Sequence, residues 1–190
     1  MPFHGQSILP AVRGWKEFDA LLASPYDYIV MLDCKLGQLK SIVSEAGRHG
    51  KKLLLHADLI DGLNHDEHAA EFLCQSIRPA GIISTRTTVI QKTKQNGLIA
   101  IQRMFLLDTG ALERGIALAK QNRPDYIEVL PGVIPPIIRE VAERTGIPAL
   151  AGGLIRTEQD VAAALEAGAA AVTTSDRQLW KPFINRKQEE

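Results

Sequence analysis

The sequence predicts an α/β protein, a small (β/α)8 barrel of the TIM type. Three observations carry this. Short apolar, β-branched runs alternate with longer amphipathic runs from one end of the chain to the other. The apolar runs are continuous rather than alternating, as in Ile29-Val30-Met31-Leu32 and Leu53-Leu54-Leu55. Parallel strands covered by helices read this way. Eight strand–helix units fit in the 190 residues. That leaves about 24 residues each, the size of a minimal βα unit with short loops, in a fold that usually takes ~250 residues. An open doubly wound sheet would want a glycine-rich turn after its first strand. Pro10-Ala11-Val12-Arg13-Gly14 offers none.

Strands are expected at 7–12, 28–32, 52–56, 81–84, 98–103, 126–130, 149–151 and 171–174. Helices are expected at 15–22, 36–48, 66–76, 87–95, 110–121, 134–144 and 158–167, with a closing stub near 176–180. Thr157 followed by Asp160 has the form of a capping box, and Gly168 stands where a left-handed C-terminal residue belongs. Gly50 and Gly146 punctuate helix ends in the same way. Pro135-Pro136 falls in a first helical turn, where the missing N–H groups would have no partner anyway. Pro148 opens a strand, where a missing donor is tolerated. One domain spans 1–190, with a polar tail over about 184–190.

The 22 basic and 22 acidic side chains cancel, which excludes a polycation that coats nucleic acid by bulk charge. No run approaches the ~20 apolar residues of a membrane span, and Met1–Pro10 lacks the segments of a secretory leader. Cys34 and Cys74 are too few for a disulfide framework and form no CxxC pair. They read as buried apolar residues in a reduced, cytoplasmic setting.

In such a barrel the functional face lies at the C-terminal ends of the strands. Gly152-Gly153 follows the seventh strand, and Thr174-Ser175-Asp176 follows the eighth. Phosphate sites in these barrels are built from those two loops and a short helix N-terminus. Glycine lets backbone N–H groups come close, and hydroxyls add donors. Gly152, Gly153, Thr174 and Ser175 are therefore the candidate phosphate cup, with a tight turn as the bland alternative. The other strand ends supply Asp33, His56, Asp58, Arg86, Arg103 and Glu128 to the mouth. The arginines suit an anion, and the acids suit ligand hydroxyls. The His-x-Asp spacing of His56 and Asp58 puts both on one strand face. His56, Asp58 and Glu128 would have to converge to hold a metal; without a tight ligand motif, no metal and no cofactor are expected. Lys51-Lys52, Lys92 and Lys94 read as solvated, and are the only local basic clusters for RNA phosphates.

Longer blocks are more specific. They are Phe3-His4-Gly5-Gln6 with Ile8-Leu9-Pro10-Ala11, Gly37-Gln38-Leu39-Lys40, His56-Ala57-Asp58-Leu59, and Pro79-Ala80-Gly81 running on to Arg86. Ile127-Glu128-Val129-Leu130-Pro131-Gly132, Ala151-Gly152-Gly153 with Ile155-Arg156-Thr157, and Ala171-Val172-Thr173-Thr174-Ser175 complete them. On these blocks, over about residues 3–181, the chain resembles the glycerol-3-phosphate-responsive antiterminators of Gram-positive bacteria, which regulate glycerol uptake operons. The resemblance implies a regulator with no catalytic residues. It implies that bound glycerol 3-phosphate lets the protein bind leader mRNA and prevent termination. RNA binding rests on the resemblance alone, since aromatics are only 5% and no stacking motif is visible. Two other classes stand beside it. One is an enzyme acting on a phosphorylated triose or glycerophosphodiester, with Lys35 the nearest Schiff-base candidate. The other is a binding protein with no RNA role. A homodimer is the default expectation for self-association.

Overall fold

The computed structural model describes residues 2–64 and 66–181; the polar tail expected over 184–190 lies outside them. Eight parallel strands form the wall: β1 (Ile8–Arg13), β2 (Tyr28–Lys35), β3 (Lys52–His56), β4 (Gly81–Ser84), β5 (Ile99–Phe105), β6 (Tyr126–Leu130), β7 (Ala149–Gly152) and β8 (Ala171–Thr174). Each pairs with the next, and β8 pairs back onto β1, with Leu9 opposite Thr173, so the sheet closes into a barrel. Around it run α1 (Trp15–Leu22), α2 (Leu39–Arg48), α3 (Glu67–Phe72), α4 (Thr87–Gln95), α5 (Thr109–Asn122), α6 (Pro135–Thr145) and α7 (Glu158–Glu166). The expected closing stub is a 3₁₀ turn, Arg177–Leu179.

The helix termini obey local chemistry. The Thr157 hydroxyl accepts from Asp160 N–H at 3.1 Å while the Asp160 carboxylate accepts from Thr157 N–H at 2.9 Å. Asp66 and Asp108 cap α3 and α5 in one direction only, accepting from Ala69 N–H and Ala111 N–H. Two strands run further than the sequence suggests. β2 continues from Leu32 to Lys35 because Cys34 and Lys35 pair with a two-residue strand, Ile60–Asp61. β5 continues to Phe105, pairing along β6 as far as Leu130. The helix expected at 36–48 begins as a 3₁₀ turn, and that at 66–76 ends in a wider turn, Leu73–Ile77.

Two apolar layers form. Ile29, Met31, Leu53, Leu55, Ile82 and their outward-facing equivalents pack against the helices. Leu9, Val30, Leu54, Ile83, Ile101 and Leu150 fill the barrel interior. Phe3 closes the N-terminal end against Tyr28 and Tyr126, with ring centroids 5.1 and 4.6 Å away. Cys34 and Cys74 are free and buried, and burial pushes the Cys34 thiol up to about 11.

Candidate functional site

Side chains two apart on a strand share a face, so the interior layer fixes which residues come next toward the mouth. His56 lies two residues past Leu54, Arg103 two past Ile101, Gly152 two past Leu150 and Thr173 two past Ala171. Glu128 lies two past Tyr126, which packs on the same layer. The parity also sorts strand-end polar residues. Gln102, next to Arg103, faces the helices, where its carbonyl accepts from Asn122 at 2.8 Å.

At the centre of the mouth, Arg103 Nε donates to Glu128 Oε2 at 2.6 Å. The two residues are register partners on β5 and β6. Their side chains are 10% and 1% exposed, so this is a buried ion pair. The Thr173 hydroxyl donates to the other oxygen, Oε1, at 2.5 Å. Gly152 makes room for that bond. A Cβ there would lie 2.5 Å from Thr173 Oγ1 and 2.9 Å from Glu128 Oε1.

A cavity of about 300 Å³ opens on this group, at the lower end of ligand-site volumes. Arg13, Arg103, Glu128, Gly153, Thr173, Thr174, Ser175 and Asp176 give it its polar wall; Leu32, Leu59, Leu130 and Leu154 are apolar neighbours. The structure thus brings together Gly153, Thr174, Ser175, Arg103 and Glu128 from the expected set, with Gly152 directly behind. Gly153 has φ +74°, which suits glycine, and Leu154 follows at φ +60°, exposed on the rim. In the short turn after β8 the Asp176 carboxylate accepts from Gln178 N–H at 2.9 Å.

Asp33, His56, Asp58 and Arg86 do not line the cavity. Asp33 is ion-paired with Arg13, its register partner on β1. Asp58 departs from the expected His-x-Asp strand face: β3 ends at His56, and Asp58 sits in the 3₁₀ turn Ala57–Leu59. Its oxygens accept from the Ser84 hydroxyl at 2.6 Å and from the Thr85 N–H and hydroxyl, both at 2.8 Å. Burial opposes its charge, but those hydrogen bonds win and hold the carboxyl below its ordinary value. Arg86 reaches Asp58 only at 3.9 Å and is half exposed. Among the described residues no three His, Cys, Asp or Glu side chains are placed to hold a metal ion. Lys35 is exposed at the end of β2 and does not line the cavity. Arg13, Thr173 and Asp176 were not among the expected site residues. For Arg13 the available signal was its place two residues past the interior-facing Ala11.

His56 is 3% exposed, and neither ring nitrogen has a hydrogen-bond partner among the described residues. Burial, helped by the Arg103 guanidinium and opposed by Asp58 and Glu128, pushes the imidazole down to about 4. The unfolded chain takes up this proton near pH 6.5, while the folded chain stays neutral. Stability therefore falls as pH drops from about 6.5 toward 4. Between pH 7 and 5 the loss from this residue is about 2 kcal/mol. Urea unfolding at the two pH values measures it. His56→Asn should remove that part of the difference; an equally steep fall in the variant would assign it elsewhere.

Comparison with known proteins agrees with this architecture. The family model described as "Glycerol-3-phosphate responsive antiterminator" matches residues 8–180. The crystal structure of a glycerol uptake operon antiterminator regulatory protein from Listeria monocytogenes is 46% identical, with TM-score 0.92, over 95% of this chain and 97% of that one. An antiterminator-related protein from Thermotoga maritima is 29% identical, with TM-score 0.81, over 93% and 98%. YgcP, an uncharacterized protein of Escherichia coli K12, is 29% identical over 91% of both chains. This chain belongs to the glycerol-3-phosphate responsive antiterminator family.

Proposed function

We propose that this chain is a glycerol 3-phosphate sensor that binds the leader mRNA of glycerol operons and prevents termination, without catalysing a reaction. The observation that carries the reading is the small cavity in which Gly153, Thr174 and Ser175 face Arg103 and Arg13, within a chain of this family. The phosphate sits on Gly153 and the Thr174–Ser175 loop. The glycerol hydroxyls bond to the Glu128–Thr173 group, and Gly152 acts from behind by keeping that group in place.

The Arg103–Glu128 and Arg13–Asp33 pairs play different parts. Arg103–Glu128 is buried, and separating it is costly. Arg13–Asp33 is exposed, with side chains 60% and 44% accessible, and such pairs are worth about 0–1 kcal/mol. An incoming phosphate takes Arg13 from Asp33 at little cost, and the rim of β1 and β2 rearranges around it. RNA binds the ligand-bound state better, and by linkage RNA tightens ligand binding by the same factor. Asp33, Asp58, Arg86 and His56 support the rim on this reading without touching the ligand. No cofactor is needed, and the protein works in the cytoplasm beside the transcript.

Isothermal titration of glycerol 3-phosphate into the protein tests this. The expected result is heat that saturates at one site and returns to baseline. Heat that persists after each injection would mean turnover, and no heat at two temperatures would remove the ligand.

A further inference from the structure

We infer that the RNA of the proposed function lies across the N-terminal end of the barrel, opposite the ligand cavity, held by Arg78 and Arg123. This rests on the RNA-binding reading and adds the surface. Among the described residues, six helical segments end through a left-handed residue. Four use glycine: Gly50, Gly97, Gly146 and Gly168, with φ between +67° and +96°. The other two use arginine: Arg78 at φ +54° after the Leu73–Ile77 turn, and Arg123 at φ +49° after α5. An L side chain in that conformation costs about 1 kcal/mol or more, which glycine would not.

The caps themselves are useful, since the Arg78 and Arg123 N–H groups donate to Leu73 O and Ala119 O, both at 2.9 Å, but glycine would cap as well. Both side chains are exposed, and neither joins an ion pair among the described residues. Each is followed by a buried proline, Pro79 and Pro124, so the same Arg-Pro device is used twice. A strained side chain kept where glycine would serve the cap equally points to function.

Their placement fits a polyanion. α3, α4 and α5 are consecutive neighbours, so Arg78 and Arg123 flank the end of α4, which carries Lys94. Lys120 and Arg48 lie in the last turns of α5 and α2, at the same end. Basic residues there are ordinary complements of the helix dipole; the two left-handed arginines are not. At the opposite end, acids stand at the helix starts beside the ligand mouth: Asp66, Asp108, Asp160 and Asp176 each accept from backbone N–H groups there. Strand β6 joins the two ends. Glu128 lies on it in the cavity. Asp125, just before it, accepts from Ala100 N–H and from Lys94, both at 2.8 Å.

The test is the double variant Arg78→Gly/Arg123→Gly, with Arg78→Asn/Arg123→Asn as a second pair that also tolerates the backbone. Wild type is measured first with leader RNA at saturating glycerol 3-phosphate. Both variants should keep wild-type ligand affinity, and the glycine pair should melt no lower than wild type. RNA affinity should fall at least tenfold. The slope of log K against log salt should shrink by about 1.5, for two lost phosphate contacts. Arg156→Gln, on the mouth side, should leave both unchanged. An unaltered affinity and slope in the folded variants would overturn the surface assignment. Failure of wild type to bind RNA would overturn the regulatory reading itself.

Discussion

Glu128→Ala is expected to destabilise the protein by about 3–5 kcal/mol, because it leaves the Arg103 guanidinium buried without its counter-charge. Arg103 is 10% exposed in its side chain and has its hydrogen bond to Glu128 at 2.6 Å. Thr173 loses its short bond as well and keeps only Ala151 O at 3.3 Å. Single domains have about 5–15 kcal/mol in total, so denaturant unfolding should show the midpoint move far. The replacement Arg103→Met/Glu128→Leu separates charge from packing. A buried pair exchanged for apolar side chains is often neutral in stability, so this variant should fold near wild-type stability and bind no glycerol 3-phosphate. A loss under about 1 kcal/mol for Glu128→Ala would mean that the pair is better solvated than its burial indicates.

Gly153→Asp is expected to lower glycerol 3-phosphate affinity at least 100-fold. Asp and Asn tolerate the left-handed backbone better than other side chains, and the new Cβ meets the Leu130 side chain, nearest at Cδ2, 3.2 Å away. A carboxylate a few ångströms from a bound phosphate costs several kcal/mol, about 332/(εr) at an effective ε near 20. Gly153→Asn has the same shape without the charge and should retain most of the affinity. Calorimetry on the two side by side reads the difference. Equal affinities would place the phosphate away from Gly153.

Much of the fold was legible because the strands are buried on both faces. The limits of β3, β4, β6 and β8, and of α1 and α4, coincide with runs visible in the sequence. The misjudged ends have tertiary causes. β2 overruns Leu32 because Ile60–Asp61 arrives beside it, and no local pattern in 28–35 announces that. The expected site residues divide: five of the ten line the cavity, whereas Asp33, His56, Asp58 and Arg86 do not. Arg103, Glu128, Gly153, Thr174 and Ser175 converge because period two and the strand ends place them. Who pairs with whom was not legible. Arg103 with Glu128, Arg13 with Asp33 and Gly152 beside Thr173 are all register partners on neighbouring strands, and register belongs to the closed barrel. The departure of Asp58 from the His56 face comes from a 3₁₀ turn that its bonds to Ser84 and Thr85 hold in place.

Coupling between the cavity and RNA is the core of the proposed function, and linkage makes it measurable from either side. Fluorescence anisotropy of labelled leader RNA, titrated with protein at fixed salt with and without saturating glycerol 3-phosphate, tests it most directly. RNA binding at least tenfold tighter with ligand is the expected result, within the range of about 5–150-fold typical of such coupling. Glycerol 3-phosphate affinity should rise by the same factor when RNA is present. Equal RNA affinity with and without ligand would contradict a ligand-gated regulator.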